Sequence, residues 1–328
     1  MKEITINNIE RNEIIKQYFM HISKTYKYAI LHHLENIYDV DGDIDFVIDC
    51  NKLEFYMITN EFCEKNNGFI ANFFTITENI YKANLAVKVN KFWTTIQLDC
   101  CIQAGNTLLS IDTHNIIKNK NKRLFDNYYY SIASPKHEIE YYINKKAYKE
   151  INFKYTSSNG IDQYRNYLLS LDDSVTNTQI DNLYRERINY FKTIYFKIKK
   201  SYSKLYTLFY RIFEVNSIIL VLDIKNNEFR DQVINKLEKN HFFSNVKSIK
   251  LANKGVSAFL KEIMMINYFK LQSTLILINS IEERQQIFLG KYLYVTCEEI
   301  NSINDITDKI FTLIASTMNK QYKEEYGL

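Results

Sequence analysis

The sequence predicts an α+β domain, then a helical segment, then a C-terminal α/β domain, in a chain of 328 residues. Short alternating apolar runs in the first half are typical of neighbouring strands. Residues 161–214 keep a helical apolar period, and from Ser217 strand-like and helix-like runs alternate, which indicates a parallel sheet with crossovers. With a turn-forming cluster at 157–160, we expect a first domain over 1–156, a helical linker over 157–215 and a last domain over 216–328.

The composition excludes several classes of protein. Hydrophobic residues make up 46% and charged residues 24% of the chain, so disordered and collagen-like proteins are excluded. A net charge of +4 does not by itself indicate a nucleic-acid partner. The five cysteines form no CxxC pair, and no apolar run approaches the length of a membrane span. We therefore expect a cytoplasmic protein with reduced thiols and no membrane span.

The first domain is predicted to open with a helix within residues 1–30, since apolar residues recur there at helical spacing. A polar turn at Asp41 and Gly42 then precedes an alternating strand over 44–48. Strand-like runs at 69–75, 85–89 and 92–101 are spaced as an antiparallel meander. The polar, basic stretch 115–127 is predicted to be a loop, and Ser134 with Pro135 marks the start of the next helix.

Three aspartates are the candidate catalytic residues. Asp43 and Asp45 share one face of a strand because side chains in a strand repeat with period 2. Asp99 lies 54 residues after Asp45, on another alternating run that fits beside the first. Clustered carboxylates are ligands for Mg²⁺, and two such ions can clamp the attacking and leaving oxygens of a phosphoryl transfer. A D-x-D pair alone is also typical of a solvated turn or a strand end.

Three stretches of the chain carry a family resemblance: LHHLENIYDVDGDIDFVI, TTIQLDC and SPKHEIEYYINKKAYK. They resemble bacterial proteins in which a nucleotidyltransferase-superfamily domain precedes a thymidylate-kinase-like domain, often encoded with polysaccharide or capsule synthesis. The resemblance implies Mg²⁺, a nucleoside triphosphate substrate, and transfer of a nucleoside monophosphate to a hydroxyl acceptor such as a sugar or polysaccharide precursor. It also implies that Asp43, Asp45 and Asp99 bind the metal, with Asp99 as base for the attacking hydroxyl.

The same resemblance implies that His33, Lys145 and Lys149 bind the nucleotide. His33 stands where the family has a small helix-opening residue, which lets backbone N–H groups approach the triphosphate. His32, His33 and Glu35 are alternatively a metal or acid–base cluster, although a satisfied helix start is the commoner meaning of such a pattern. Lys145 and Lys149 share a helix face and are expected to reach the phosphates; an ordinary solvated lysine face is equally compatible.

The last domain lacks the motif on which nucleotide kinases depend. A phosphate loop needs G-x-x-x-x-G-K-[ST] after its first strand, whereas SIILVL is followed here by DIKNNEFRDQ, without a glycine. We therefore expect an α/β P-loop-kinase-like domain with a degenerate phosphate loop and no kinase activity. Lys225 as a remaining phosphate ligand is the less favoured alternative.

The basic, aromatic stretch Lys192–Tyr210 suits RNA or a membrane surface, but favours an amphipathic helix that packs its aromatic residues between two domains while its lysines face water. For the whole protein, two alternatives to a nucleotidyltransferase stay open. One is a catalytically inactive binding or scaffold protein. The other is a toxin-like transferase that acts on RNA through the loop 118–123, with nucleic acid as the less favoured partner.

Overall fold

The computed structural model describes residues 8–32, 34–38, 43–77, 79–89, 92–102, 112–153 and 161–213. It also describes strands at 218–222, 246–249, 275–278 and 293–295, and scattered helical positions between 228 and 316. Helix α1 spans Asn8–Ile22 and buries Ile15, Phe19 and Ile22 completely, as the apolar spacing predicts.

Seven strands form one mixed sheet in the order β3-β4-β5-β2-β1-β7-β6. Their bounds are β1 Tyr28–Ile30, β2 Asp43–Ile48, β3 Gly68–Thr77, β4 Ile80–Val89, β5 Phe92–Ile102, β6 Asn121–Phe125 and β7 Tyr128–Ile132. A 3₁₀ helix, Leu34–Tyr38, follows β1, and helix α2, Lys52–Lys65, follows β2. The successive strands β3, β4 and β5 are neighbours joined by two-residue connections, which only antiparallel pairs allow. Strand β2 pairs antiparallel with β1 but parallel with β5.

The basic stretch 115–127 is a helix and a strand, so its prediction as a loop is wrong. Helix α3, Thr113–Lys118, is capped by Asp112, whose side chain accepts a hydrogen bond of 3.0 Å from the backbone N–H of Asn115. Strand β6 then pairs antiparallel with β7 through a turn at Asp126 and Asn127, with φ of 46° and 59°. Two successive positive φ angles fit a type I′ hairpin turn, which Asp and Asn tolerate better than most residues.

Four helices follow the sheet: α4 Pro135–Phe153, α5 Asp162–Leu171, α6 Asn177–Lys192 and α7 Ile194–Phe213. The predicted start at Pro135 is confirmed. Leu168 and Ile180, from α5 and α6, are fully buried in one apolar core with Tyr142 of α4. Residues 161–207, which the sequence assigns to a linker, belong to the same compact unit as α4. Their apolar faces therefore complete a core instead of bridging space.

The chain divides into two compact units. The first comprises residues 1–58, 75–82 and 97–207, and the second comprises 59–74, 83–96 and 208–328. The second unit thus includes segments that the sequence assigns to the first domain. Within it, the Lys88 ammonium donates to the Asp308 carboxylate at 2.7 and 2.9 Å, and the Trp93 indole donates to the same carboxylate at 2.9 Å.

The second unit also contains a four-stranded sheet in the order β11-β8-β10-β9, with all neighbours parallel. Its strands are β8 Ile218–Leu222, β9 Val246–Ile249, β10 Leu275–Ile278 and β11 Leu293–Val295. Parallel pairing agrees with the predicted alternation of strands and helices. Lys225 and most of the expected phosphate-loop region lie outside the described residues, and the kinase-like fold stays a prediction. Among the described helices, none is long and apolar enough to cross a membrane.

Candidate active site

Three carboxylates meet where β2 and β5 run side by side. The two strands pair in parallel, with Asp43 opposite Gln97 and Asp45 opposite Asp99. Asp43 therefore lies on the same face as the adjacent pair Asp45 and Asp99. The opposite face of β2 is apolar, since Ile44 and Phe46 are fully buried. The structure thus brings together the three aspartates that the strand phase predicts to converge.

Two lysines neutralise these carboxylates. The Lys82 ammonium, on β4, lies 3.6 Å from Asp43 Oδ2 and 3.5 Å from Asp99 Oδ1. The Lys145 ammonium, on α4, lies 2.5 Å from Asp45 Oδ2. Lys145 therefore reaches a carboxylate in this structure, and its predicted contact with a phosphate stays a prediction.

The pKa values of Asp99 and Asp43 are shifted in opposite directions. Burial, the negative charge of Asp45 and that of Asp43 raise the pKa of Asp99 to about 8, against the opposing effect of Lys82. Burial alone would also raise the pKa of Asp43, but its hydrogen bond with Asp99 and the charges of Lys82 and Lys145 lower it to about 2. Asp99 therefore holds a proton more readily than Asp43, with which it shares a hydrogen bond, as crowded carboxylates are expected to do.

One oxygen at this site has no hydrogen-bond donor. Asp99 Oδ1 is buried and accepts no hydrogen bond, since Lys82 lies beyond good hydrogen-bonding geometry. A buried, unsatisfied carboxylate oxygen beside two further carboxylates fits the donor set that Mg²⁺ prefers. Within the described part of the chain, however, no three Asp, Glu, His or Cys side chains are already arranged as a metal-binding group. The Mg²⁺ site of Asp43, Asp45 and Asp99 therefore stays a prediction.

Tyr141 is a site residue that sequence reasoning missed. Its side chain is buried on α4, and its hydroxyl forms a hydrogen bond with Asp45. Burial and the charge of Asp45 raise the pKa of Tyr141 well above its ordinary value, so the phenol stays protonated. The Lys145 ammonium lies 5.4 Å from the centre of the Tyr141 ring. Tyr141 and Lys145, one helical turn apart, together fix the Asp45 carboxylate.

Lys82 was also missed by sequence reasoning. It stands between the buried residues Tyr81 and Ala83 in a strand that is mostly buried. A lysine inside such a strand is unusual, and this feature of the sequence could have identified Lys82 as a candidate site residue. Its partners depend on how the strands are ordered, which the local pattern does not specify.

Of the two other predicted nucleotide ligands, the structure describes Lys149 but not His33. The side chain of Lys149 is exposed on α4, although its ammonium group is partly desolvated. That desolvation and the charges of Lys145 and Lys146 lower its pKa, against the opposing effect of Asp45 and Asp43. His33 lies outside the described residues, so its predicted contact with the nucleotide is not located. Glu138 is buried and accepts a hydrogen bond from the Tyr167 hydroxyl, which assigns it to the core between α4 and α5.

The cysteines near the site are inert. Cys100 and Cys101 are buried on β5, and burial raises the pKa of both thiols well above the ordinary value. Cys50 and Cys63 are buried and unpaired as well, and Cys297 lies outside the described residues. A cysteine nucleophile at this site is therefore disfavoured.

Comparisons with known proteins identify no family for the chain. No protein-family model matches it, and no curated protein matches it significantly. One solved structure, described as the crystal structure of JHP933 from Helicobacter pylori, is similar at 11% identity, over 63% of this chain and 99% of that chain, with a TM-score of 0.28. At that TM-score the likeness carries no argument about fold or activity.

Proposed function

We propose that this protein is a Mg²⁺-dependent nucleotidyltransferase that moves a nucleoside monophosphate from a nucleoside triphosphate to a hydroxyl acceptor. The observation that carries the proposal is the register of β2 and β5, which sets Asp45 beside Asp99 with Asp43 on the same face. The Oδ1 atom of Asp99 supports it, because this buried oxygen accepts no hydrogen bond; a metal ion would have to displace the Lys82 ammonium, which lies 3.5 Å from it. A sugar or polysaccharide precursor as acceptor rests on the family resemblance alone.

The proposed roles follow from charge and position. Asp43, Asp45 and Asp99 would hold Mg²⁺, which supplies electrostatic stabilisation of the charge that develops on the transferred phosphoryl group. Asp99 is the candidate proton acceptor for the attacking hydroxyl, the role that the family resemblance implies for the third carboxylate. Lys145 and Lys149, which share a face of α4, are the candidate phosphate ligands.

A specific observation also favours the second candidate, an inactive binding protein. Lys82 and Lys145 already lie within 3.6 Å of all three aspartates, as they would in a purely structural charge cluster. In a nucleotidyltransferase, Mg²⁺ and the nucleotide would displace the Lys82 and Lys145 ammonium groups from the carboxylates. In an inactive binding protein, these ion pairs would persist. The toxin-like alternative assumed a loop at 118–123, whereas residues 121–123 belong to strand β6.

The direct test is transfer of label from nucleotide to acceptor. The full chain is incubated with Mg²⁺, each α-³²P-labelled nucleoside triphosphate in turn, and a small-molecule and glycan extract. Label should pass from one triphosphate to a product with release of pyrophosphate. Asp45→Asn and Asp99→Asn should each lower the rate by at least about 100-fold, since each removes a metal ligand. The matched control is Asp173→Asn, which changes an exposed aspartate in the turn between α5 and α6 and should leave the rate unchanged.

The absence of label transfer would rule out the enzyme under the following condition. If no triphosphate yields labelled product and pyrophosphate, and Asp45→Asn binds nucleotide as the parent does, the enzyme proposal is wrong. The charge cluster is then structural, and Asp45→Asn should instead lower the midpoint of urea denaturation because Lys145 loses its partner.

A further inference from the structure

Helix α7 carries an apolar face that is open to solvent over its first three turns. Five large hydrophobic side chains on it are between 64% and 75% exposed: Ile194, Tyr195, Ile198, Tyr202 and Leu205. At 100° per residue these positions fall within an arc of roughly 100°. The sequence favoured packing of the aromatic residues of this stretch between domains, and for Tyr195 and Tyr202 that prediction is wrong.

The opposite side of α7 anchors the helix. Phe196 is fully buried in a cluster with Ala147 and Phe191, and Ser203, two turns further on, is buried as well. Both positions lie roughly opposite the centre of the exposed arc. Because the opposite side of α7 is packed against the protein, the apolar face points to solvent on a helix that is already docked. Exposed apolar surface of this extent marks an interaction site.

The charge around this face has a single sign. Between Glu186 and Glu214 the chain has five lysines and two arginines but no acidic residue. Within α7, Lys197 and Lys204 flank one edge of the apolar arc and Lys199 flanks the other, roughly 40 to 80° beyond it. Long lysine side chains can extend from such positions toward the level of the apolar face. The surface that covers this face must therefore be apolar at its centre and anionic around it.

We propose that residues 192–205 bind the surface of a lipid bilayer that contains anionic lipids. The apolar face would enter the boundary between headgroups and acyl chains, the lysines would contact lipid phosphates, and the tyrosines would lie at the polar level that suits their hydroxyls.

Two other occupants fit less well. A second copy of this chain paired symmetrically would bring basic flanks against basic flanks. Single-stranded RNA could stack on Tyr195 and Tyr202, but the other three exposed side chains of the face, Ile194, Ile198 and Leu205, offer no ring for a base.

Vesicle sedimentation with the full chain tests this proposal. Two kinds of vesicle are used, pure phosphatidylcholine and equal parts phosphatidylcholine and phosphatidylglycerol. The protein should sediment with the anionic vesicles, release at high salt, and stay in solution with the neutral ones. Lys197→Gln with Lys204→Gln should weaken binding by roughly 30-fold. Ile198→Glu with Leu205→Glu should abolish it while leaving the circular dichroism spectrum unchanged, because both side chains are exposed.

Control variants distinguish binding through this face from non-specific adsorption to vesicles. Leu124→Glu places the same charge on another exposed apolar residue, and Lys136→Gln removes an exposed lysine on α4; both should sediment like the parent. The proposal is overturned if the parent ignores anionic vesicles at low salt, or if the Ile198 and Leu205 variant binds them as well as the parent does. Binding of single-stranded RNA or dimer formation that this variant abolishes, without vesicle binding, would equally overturn it. None of these outcomes depends on transferase activity.

Discussion

Lys82 is the cation that two carboxylates of the cluster share. Its ammonium lies within 3.6 Å of Asp43 and 3.5 Å of Asp99, and its side chain is only 17% exposed. A cation in that position offsets the repulsion between carboxylates and occupies the space beside the unsatisfied Asp99 Oδ1. Lys82 therefore stabilises the fold while competing with any metal ion for the same ligands.

Replacing Lys82 with Met should lower the free energy of unfolding by about 1 to 2 kcal/mol, because Asp43 and Asp99 lose their shared cation in a partly buried site. Urea denaturation at neutral pH measures the change. Asp43→Asn in the Lys82→Met background should recover most of the loss, since the ionised partner of Lys82 is then gone as well. Lys65→Met is the control, because it breaks a largely exposed pair with Glu61 and should cost less than about 0.5 kcal/mol. Equal stability of Lys82→Met and the parent would contradict this description of Lys82.

The protonation of Asp99 predicts a pH dependence of stability in the metal-free protein. An acid with a pKa of about 8 in the folded protein, against roughly 3.9 when unfolded, binds more protons in the folded state between those values. Its contribution to the free energy of unfolding is therefore complete below about pH 4 and is lost as the pH rises to about 8. Asp43, whose pKa is lowered to about 2, contributes in the opposite sense, and its share is lost only as the pH falls below about 4.

The free energy of unfolding of the parent should therefore fall between about pH 5 and about pH 8. In the Asp99→Asn variant this fall should be smaller. The measurement is urea denaturation in EDTA at both pH values. Asp173→Asn should retain the slope of the parent. If the Asp99→Asn variant also retains the slope of the parent, Asp99 is ionised throughout this range and its pKa is not raised.

Sequence reasoning found the aspartates but not their partners. The period of 2 along a strand is local, so the shared face of Asp43 and Asp45 could be predicted from five residues. Lys82 and Tyr141 reach the site only because β4 lies next to β5 and α4 lies against the sheet face. Those placements depend on the order of strands and the packing of helices, which no local pattern contains.

At the scale of elements, the β6–β7 hairpin shows where a compositional argument fails. The stretch from Lys118 to Asn127 is polar and basic, which is typical of a loop. Strand β6 stays polar because it is the edge strand of the sheet, and its residues are largely exposed. Its pairing with β7 is directed by the turn at Asp126 and Asn127, a signal in two residues that composition does not reveal.

The turn makes a specific prediction at Asn127, where φ is 59°. Asn127→Val should lower the free energy of unfolding by about 1 to 2 kcal/mol, because a β-branched residue is strained in the left-handed region. Asn127→Gly should be neutral or stabilising, since glycine adopts that region without strain. Thermal melts of the two variants and the parent measure the difference. If valine is tolerated as well as glycine, the turn does not have this conformation.

At the scale of the whole molecule, the sequence predicts the kinds of element better than their grouping. The helices of 161–213 and the parallel pairing of β8 to β11 follow from periodicity. The sequence assigns residues 161–207 to a linker, yet Leu168 and Ile180 complete the core of the first unit. Grouping depends on which apolar faces meet, and amphipathic helices of similar pattern can cover a sheet or bridge two domains.

The C-terminal unit should lack kinase activity, because the chain has no glycine between Ser217 and Lys254 with which to form a phosphate loop. Incubating the full chain with ATP and each nucleoside monophosphate should produce no ADP and no nucleoside diphosphate. This readout is separate from nucleotidyl transfer, which releases pyrophosphate. Formation of ADP at a rate that depends on the monophosphate would contradict the loss of that site.

The central claim is that Asp43, Asp45 and Asp99 form a Mg²⁺ site, and thermal melting with and without Mg²⁺ tests it most directly. A ligand that binds only the folded state raises the melting temperature. Magnesium chloride should therefore raise the melting temperature of the parent above that in sodium chloride of equal ionic strength. It should have no such effect on the variant with Asn at both 43 and 45. A parent indifferent to Mg²⁺, or the same rise in the double variant, would contradict the claim.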